Sequence, residues 1–148
     1  MSTVEIIAKT DAGLASVLRI AVMRLRRRLA NERHPDNTLS LGAMAVLGAL
    51  AANGEATLGE LAARERVQPP SMTRTVNCLE EGGYVVRRPS ETDRRQVLVA
   101  ITPQGTATVR ADRARRDVWL TDRFAELTPE ELDTLRKAAP ILEKIANS

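Results

Sequence analysis

Residues 68–105 read QPPSMTRTVNCLEEGGYVVRRPSETDRRQVLVAITPQG, and the succession of patterns inside this stretch decides the fold. Proline suits the first turn of a helix and not its interior, so a helix starts near Pro70 and runs through SMTRTVNCLEE to Gly82-Gly83. Met72, Val76 and Leu79 recur at helical spacing and face a core. Ser71, Thr73, Arg74 and Asn77 fall elsewhere, and all are short or flexible hydrogen-bonding residues. YVVRR and QVLVAI follow, rich in β-branched residues and separated by the turn-prone PSETDR, the pattern of a β-hairpin. Arg87, Arg88, Arg94 and Arg95 crowd its tip, with Asp93 among them.

Upstream, Thr57-Leu58-Gly59-Glu60 is a capping-box sequence that opens LGELAARER, with Leu58, Leu61 and Ala62 on one side. Val67 and Gln68 connect it to the helix at Pro70. Two helices joined by so short a turn form a helix-turn-helix. Before them, Ser40 caps LGAMAVLGALAAN and Gly54 stops it. That segment is apolar on nearly every side, so burial is expected. Residues 11–33 carry a stripe of Leu14, Leu18, Ala21, Leu25 and Leu29, closed by Pro35. Downstream, Thr102-Pro103 restarts helix to about Leu127. A second capping box, Thr128 to Glu131, opens a last helix with Leu132, Leu135, Ala139, Leu142 and Ile145 at helical spacing.

The fold expected is mainly α with a small β-hairpin: a winged helix-turn-helix lobe at 40–103 in a single subunit spanning 1–148. Helices at 11–34 and 104–148 flank it, and their apolar stripes call for a partner, most naturally a second copy. In this architecture the second helix of the motif fits the major groove and the hairpin reaches backbone or minor groove.

The totals are consistent with such a protein and exclude others. Of 148 residues, 43% are apolar, enough for a core, while aromatics are 2%, too few for single-strand binding by base stacking. The net charge of +3 is a mild bias. All cations except Lys9, Lys137 and Lys144 are arginine, which a GC-rich genome explains as composition. Arginine is nonetheless the residue that holds phosphate or guanine bidentately. One cysteine, Cys78, excludes a disulfide framework and suits a reducing compartment. With no apolar run of membrane length and no signal peptide, the chain is expected in the cytoplasm. His34 and Cys78, each the only one of its kind, lie far apart, so no zinc cage is available. Without a Gly-rich phosphate loop or a nucleophile motif, neither an enzyme nor a cofactor is expected.

Residues 68–105 resemble the recognition helix and wing of the MarR (multiple antibiotic resistance regulator) transcription factors. The resemblance rests on several features in register: the helix ending LEEGGYVVRR, the D-x-R of Asp93-Arg94-Arg95, the VLVAIT strand, and the T-x-x-G of Thr102 to Gly105. It implies a triangular homodimer with intertwined terminal helices, each recognition helix entering one half of a pseudo-palindromic operator. It also implies Arg95 in the flanking minor groove and Asp93 orienting the wing through arginine contacts. Release by a small aromatic or phenolic ligand, bound between the lobe and the dimer helices, is implied as well.

The residues expected at DNA are Gln68, Ser71, Thr73, Arg74, Asn77, Asp93, Arg94 and Arg95. Arg74 is the strongest for a base edge or phosphate. A narrow A·T-rich minor groove attracts arginine, and Arg94, facing away from Arg95, is the alternative phosphate contact. Gln68 and the amides beside it suit phosphate, although two prolines remove two donors there. Met44, Leu47 and Trp119 are expected at the ligand cleft. Cys78 sits on the recognition helix, away from the first-helix position of peroxide-sensing relatives, and is expected to be inert and partly packed. The run Arg24 to Arg28 reads as a solvated face near a helix C-terminus, and Arg113, Arg115 and Arg116 as a cluster under the lobe or in an ion-pair network. A winged-helix protein-interaction module that never touches DNA is the rival reading, and an activator or a regulator without ligand is a third.

Overall fold

The computed structural model describes residues 1–148. Its helices are α1 (Thr3–Ile7), α2 (Asp11–Ala30), α3 (Leu41–Asn53), α4 (Leu58–Glu65), α5 (Pro69–Glu81), α6 (Pro103–Phe124) and α7 (Pro129–Ala146). Its strands are β1 (Ala56–Thr57), β2 (Val85–Pro89) and β3 (Val97–Ile101). The mainly α winged helix-turn-helix expected from the sequence is what forms: α4 and α5 are the helix-turn-helix, and β2–β3 the wing.

The wing belongs to a three-stranded sheet. β3 is central, antiparallel to β2 with Val85 opposite Ile101, and antiparallel to β1 with Ala56 opposite Val99. Two residues are too short to show a period of two, so the sequence does not announce β1. Nor does it announce α1 by any apolar period, although Ser2 and Glu5 form a reciprocal capping box at its start.

Side-chain hydroxyls set most helix starts. Ser40 accepts the Ala43 amide at 3.0 Å, Thr57 the Glu60 amide at 3.1 Å, and Thr102 the Gly105 amide at 3.1 Å. Thr128 and Glu131 close the expected box in both directions. The box expected at Thr57 is only half made, because the Glu60 carboxylate turns toward Arg64 instead, 3.8 Å away. α2 ends at Ala30 and α6 at Phe124, each about one turn short of its expected end.

One core fills the lobe: Val46, Leu47 and Leu50 from α3, Leu61 from α4, Met72, Val76 and Leu79 from α5, and Val85, Val99 and Val109 beyond them. α3 buries one face only, and its Leu41 is 62% exposed. Leu47, expected at the wall of a ligand cleft, is wholly enclosed here. Its place on α3 between Val46 and Leu50 turns it to the other core helices.

α1, α2 and α7 bury no residue at all. Leu14, Leu18 and Leu25 on α2, and Ile141, Leu142 and Ile145 on α7, are open to solvent in the single chain. The tie between this outer layer and the lobe is polar. Asp112 on α6, fully buried, accepts Asn37 Nδ2 at 2.6 Å and the His34 amide at 3.2 Å from the loop between α2 and α3. Arg116 Nε donates to the Leu29 carbonyl at 3.3 Å.

Candidate nucleic-acid interface

Local backbone chemistry aims α5. Arg66 closes α4 in the left-handed region, at φ 53, while its amide reaches the carbonyls of Ala62 and Ala63. Gln68 precedes a proline and is therefore held extended, at φ −68 and ψ 141. Pro69 and Pro70 then occupy the first helical turn, where their missing N–H groups cost nothing. With Met72, Val76 and Leu79 buried, α5 presents Arg74, Asn77 and Cys78 outward. Ser71 and Thr73 are half-buried at its flanks, and Gln68 is exposed with its side chain in no cap. Thr73 Oγ1 donates to the Pro69 carbonyl at 3.0 Å, which leaves only its lone pairs for a partner. Arg74 lies back over Ser71, Nη2 to Oγ at 3.2 Å, and meets no carboxylate.

The four wing arginines divide into two pairs. Arg87 reaches across to α5, donating from Nη1 to Glu80 Oε1 at 2.6 Å and from Nη2 to Asn77 Oδ1 at 2.7 Å. Arg88 pairs with Glu55, whose hydrogen bond and charge raise the guanidinium above its ordinary pKa. Both are braces between the wing and the lobe. Arg94 and Arg95 are exposed at the tip and have no acidic partner. They are the positive charge that the wing leaves free.

The tip is closed by its own hydrogen bonds. Ser90 donates its amide to Gln96 O at 2.9 Å, and the Gln96 amide donates to Asp93 O at 3.0 Å. Ser90, buried under the turn, receives the Asp93 amide at Oγ, 3.3 Å. Asp93 does not orient the wing through an arginine side chain, as the resemblance implied. Its Oδ1 accepts the backbone amide of Arg95 at 3.0 Å, a turn that aspartate makes with its own chain two residues on. The carboxylate sets the backbone from which Arg95 projects, and the guanidinium stays free.

Elsewhere the sequence-expected residues separate. Met44 is half-buried at the core edge, its sulfur 3.4 Å from Asn37 Nδ2. Trp119 is half-buried between two guanidinium groups, with Arg28 4.5 Å and Arg123 5.0 Å from its ring centre. Its indole N–H is buried without an acceptor. Cys78 is exposed rather than partly packed. Of the basic run on α2, Arg28 also pairs with Glu32 at 2.6 Å. Arg113, Arg115 and Arg116 join no ion pair, and Arg116 serves the Leu29 carbonyl instead. Glu80, Glu55 and Asp112 were missed by sequence reasoning, as was the brace that Arg87 makes. Their partners lie 7 to 78 residues away along the chain, and no local period announces such pairs.

Comparison with known proteins fits this geometry. A MarR family model matches residues 38–96, which covers the helix-turn-helix, β2 and the wing tip and ends before β3. An HTH-type transcriptional regulator of Mycobacterium bovis is 47% identical over 133 residues, 90% of this chain and 92% of its own. The crystal structure of a Pseudomonas aeruginosa PA01 protein described as a transcriptional regulator superposes with a TM-score of 0.82 at 31% identity, covering 93% of this chain and 96% of its own. A mutant of MarR from E. coli superposes with a TM-score of 0.73 at 25% identity, covering 90% and 96% respectively. No helix of this chain is long and apolar enough to cross a membrane.

Proposed function

The chain belongs to the MarR family of winged helix-turn-helix, DNA-binding transcriptional regulators, and from that premise we propose that it is a repressor acting in the cytoplasm. In this role it binds a pseudo-palindromic operator as a homodimer and leaves it when a small aromatic or phenolic ligand binds. The observation that carries the DNA arm is the pair of unpartnered guanidinium groups at the wing tip, Arg94 and Arg95, beside an α5 face whose Arg74 is also free of carboxylates. The architecture supports major-groove entry by α5 and minor-groove or phosphate contact by the wing.

Dimerisation is supported by the apolar surface on α1, α2 and α7, which buries nothing within the subunit. The ligand arm is supported by Trp119, which offers a ring flanked by cations and a donor without an acceptor. Met44 lies on α3, the other helix expected to face such a cleft.

A gel-shift titration tests the proposal, using genomic fragments recovered by their binding. Arg74→Ala and Arg95→Ala are expected to weaken binding roughly 5- to 100-fold, the scale of one good base or phosphate contact, while sedimentation shows an unchanged assembly. Wild-type affinity should fall steeply with salt as counterions are released, and one member of a panel of aromatic acids should release the fragment. Undetectable affinity even at low salt would instead make this winged helix a protein-interaction module.

A further inference from the structure

Arg87 does more than tie the wing to α5. A guanidinium has donors and no acceptor, so its 2.7 Å contact with Asn77 fixes which end of that amide it meets. Oδ1 faces Arg87, and the Nδ2 hydrogens face away from it. The same guanidinium is anchored by Glu80 at 2.6 Å, a charge-assisted pair that keeps the fork in place. Its side chain is only 25% exposed, so the brace is shielded more than an ordinary surface pair. Asn77 itself is exposed on the face of α5 opposite the core residues.

This geometry bears on base choice. An asparagine that reads adenine uses both ends of its amide, donating to N7 and accepting from the N6 amino group. Held as it is, Asn77 has one lone pair of its oxygen taken by a cation and its Nδ2 hydrogens turned away from Arg87. We propose that Arg87 is a specificity-determining positioning residue: it holds the Asn77 amide with its donors outward, which favours guanine, whose O6 and N7 both accept, or thymine O4, over adenine, whose N7 stands beside the N6 donor. The assignment rests on the DNA-binding role of α5 proposed above.

A selection from a pool of random-sequence duplexes tests it, run in parallel with the wild-type chain and four variants. Asn77→Ala identifies the base position that residue 77 reads, as the one column of the enriched motif that loses its preference. In the wild type that column is guanine or thymine. Arg87→Lys retains a positive charge for Glu80 but lacks the two-pronged fork, and Arg87→Met lacks both. With either, the amide is free to rotate and the column gains adenine by roughly tenfold relative to wild type. Glu80→Gln still accepts from Arg87 and leaves the column unchanged. Thermal melting of each variant checks that the wing remains folded.

Adenine in the wild-type column, a column indifferent to Arg87, or a motif indifferent to Asn77→Ala each overturns the assignment. A wild-type chain that enriches no sequence from the pool overturns the DNA-binding reading beneath it, a result distinguishable from all three.

Discussion

Arg94 and Arg95 are adjacent in a turn whose backbone is fixed at Arg95 by the Asp93 carboxylate. On the DNA-binding reading proposed above, Arg95 takes the minor groove and Arg94 a phosphate. Salt separates them. A cation on a phosphate releases counterions and contributes about 0.9 to the slope of log affinity against log salt, hence about 2 for both subunits of a dimer. Arg94→Ala is expected to lower the slope by about that amount and to weaken all duplexes alike. Arg95→Ala should leave the slope nearly unchanged and erase the preference for A·T-rich flanks. Salt titrations on duplexes with A·T or G·C flanks measure both quantities, and the opposite outcome exchanges the two roles. Sequence alone placed four arginines at the wing. It could not show that Arg87 and Arg88 are neutralised by Glu80 and Glu55, because those pairings exist only once the hairpin folds back on the lobe.

Elements were legible where their signals were local. The bounds of α3 and its Gly54 stop follow from Ser40 and an apolar run, and α5 from two prolines and the Met72, Val76, Leu79 stripe. β1 was not legible, since two residues become a strand only by pairing with β3. Junctions between elements were harder to read than the elements themselves. The T-x-x-G at Thr102 looked like a motif, and the structure supplies its physics. Thr102 caps α6 and also donates to the Gly83 carbonyl at 2.6 Å, which joins α6 to the end of α5. Gly105 lets the first turn of α6 lie against the Tyr84 backbone, whose carbonyl oxygen would stand 2.3 Å from any Cβ there. A backbone atom cannot swing aside as a side-chain tip can. Gly105→Ala is therefore expected to destabilise the lobe by ~1–3 kcal/mol, the usual scale of overpacking. Urea unfolding would show a lower midpoint with an unchanged slope. A midpoint equal to wild type would mean that α6 and β2 can separate freely.

At the scale of the molecule, the single chain leaves an apolar face uncovered. The lobe closes its own core, whereas α7 leaves Ile141 and Ile145 each 59% exposed on one side of a helix. Residues four apart lie on the same helical face, and Leu142 and Leu135 continue the apolar surface at 41% and 44% exposure. A contiguous face of this kind marks an interaction surface. In a two-fold dimer one substitution acts twice, since the same patch serves both subunits. Ile141→Asp combined with Ile145→Asp is thus expected to yield monomers by sedimentation at micromolar concentration. The lobe itself should stay folded, because neither residue touches its core. Operator affinity should fall much further than the loss of any one DNA contact can explain. Two half-sites joined in one dimer bind with a high effective concentration, and separated lobes do not. The decisive comparison is therefore between full operator and single half-site. Wild type should prefer the full operator strongly, and the double variant should bind both alike. A double variant that stays dimeric would move the interface away from this face of α7.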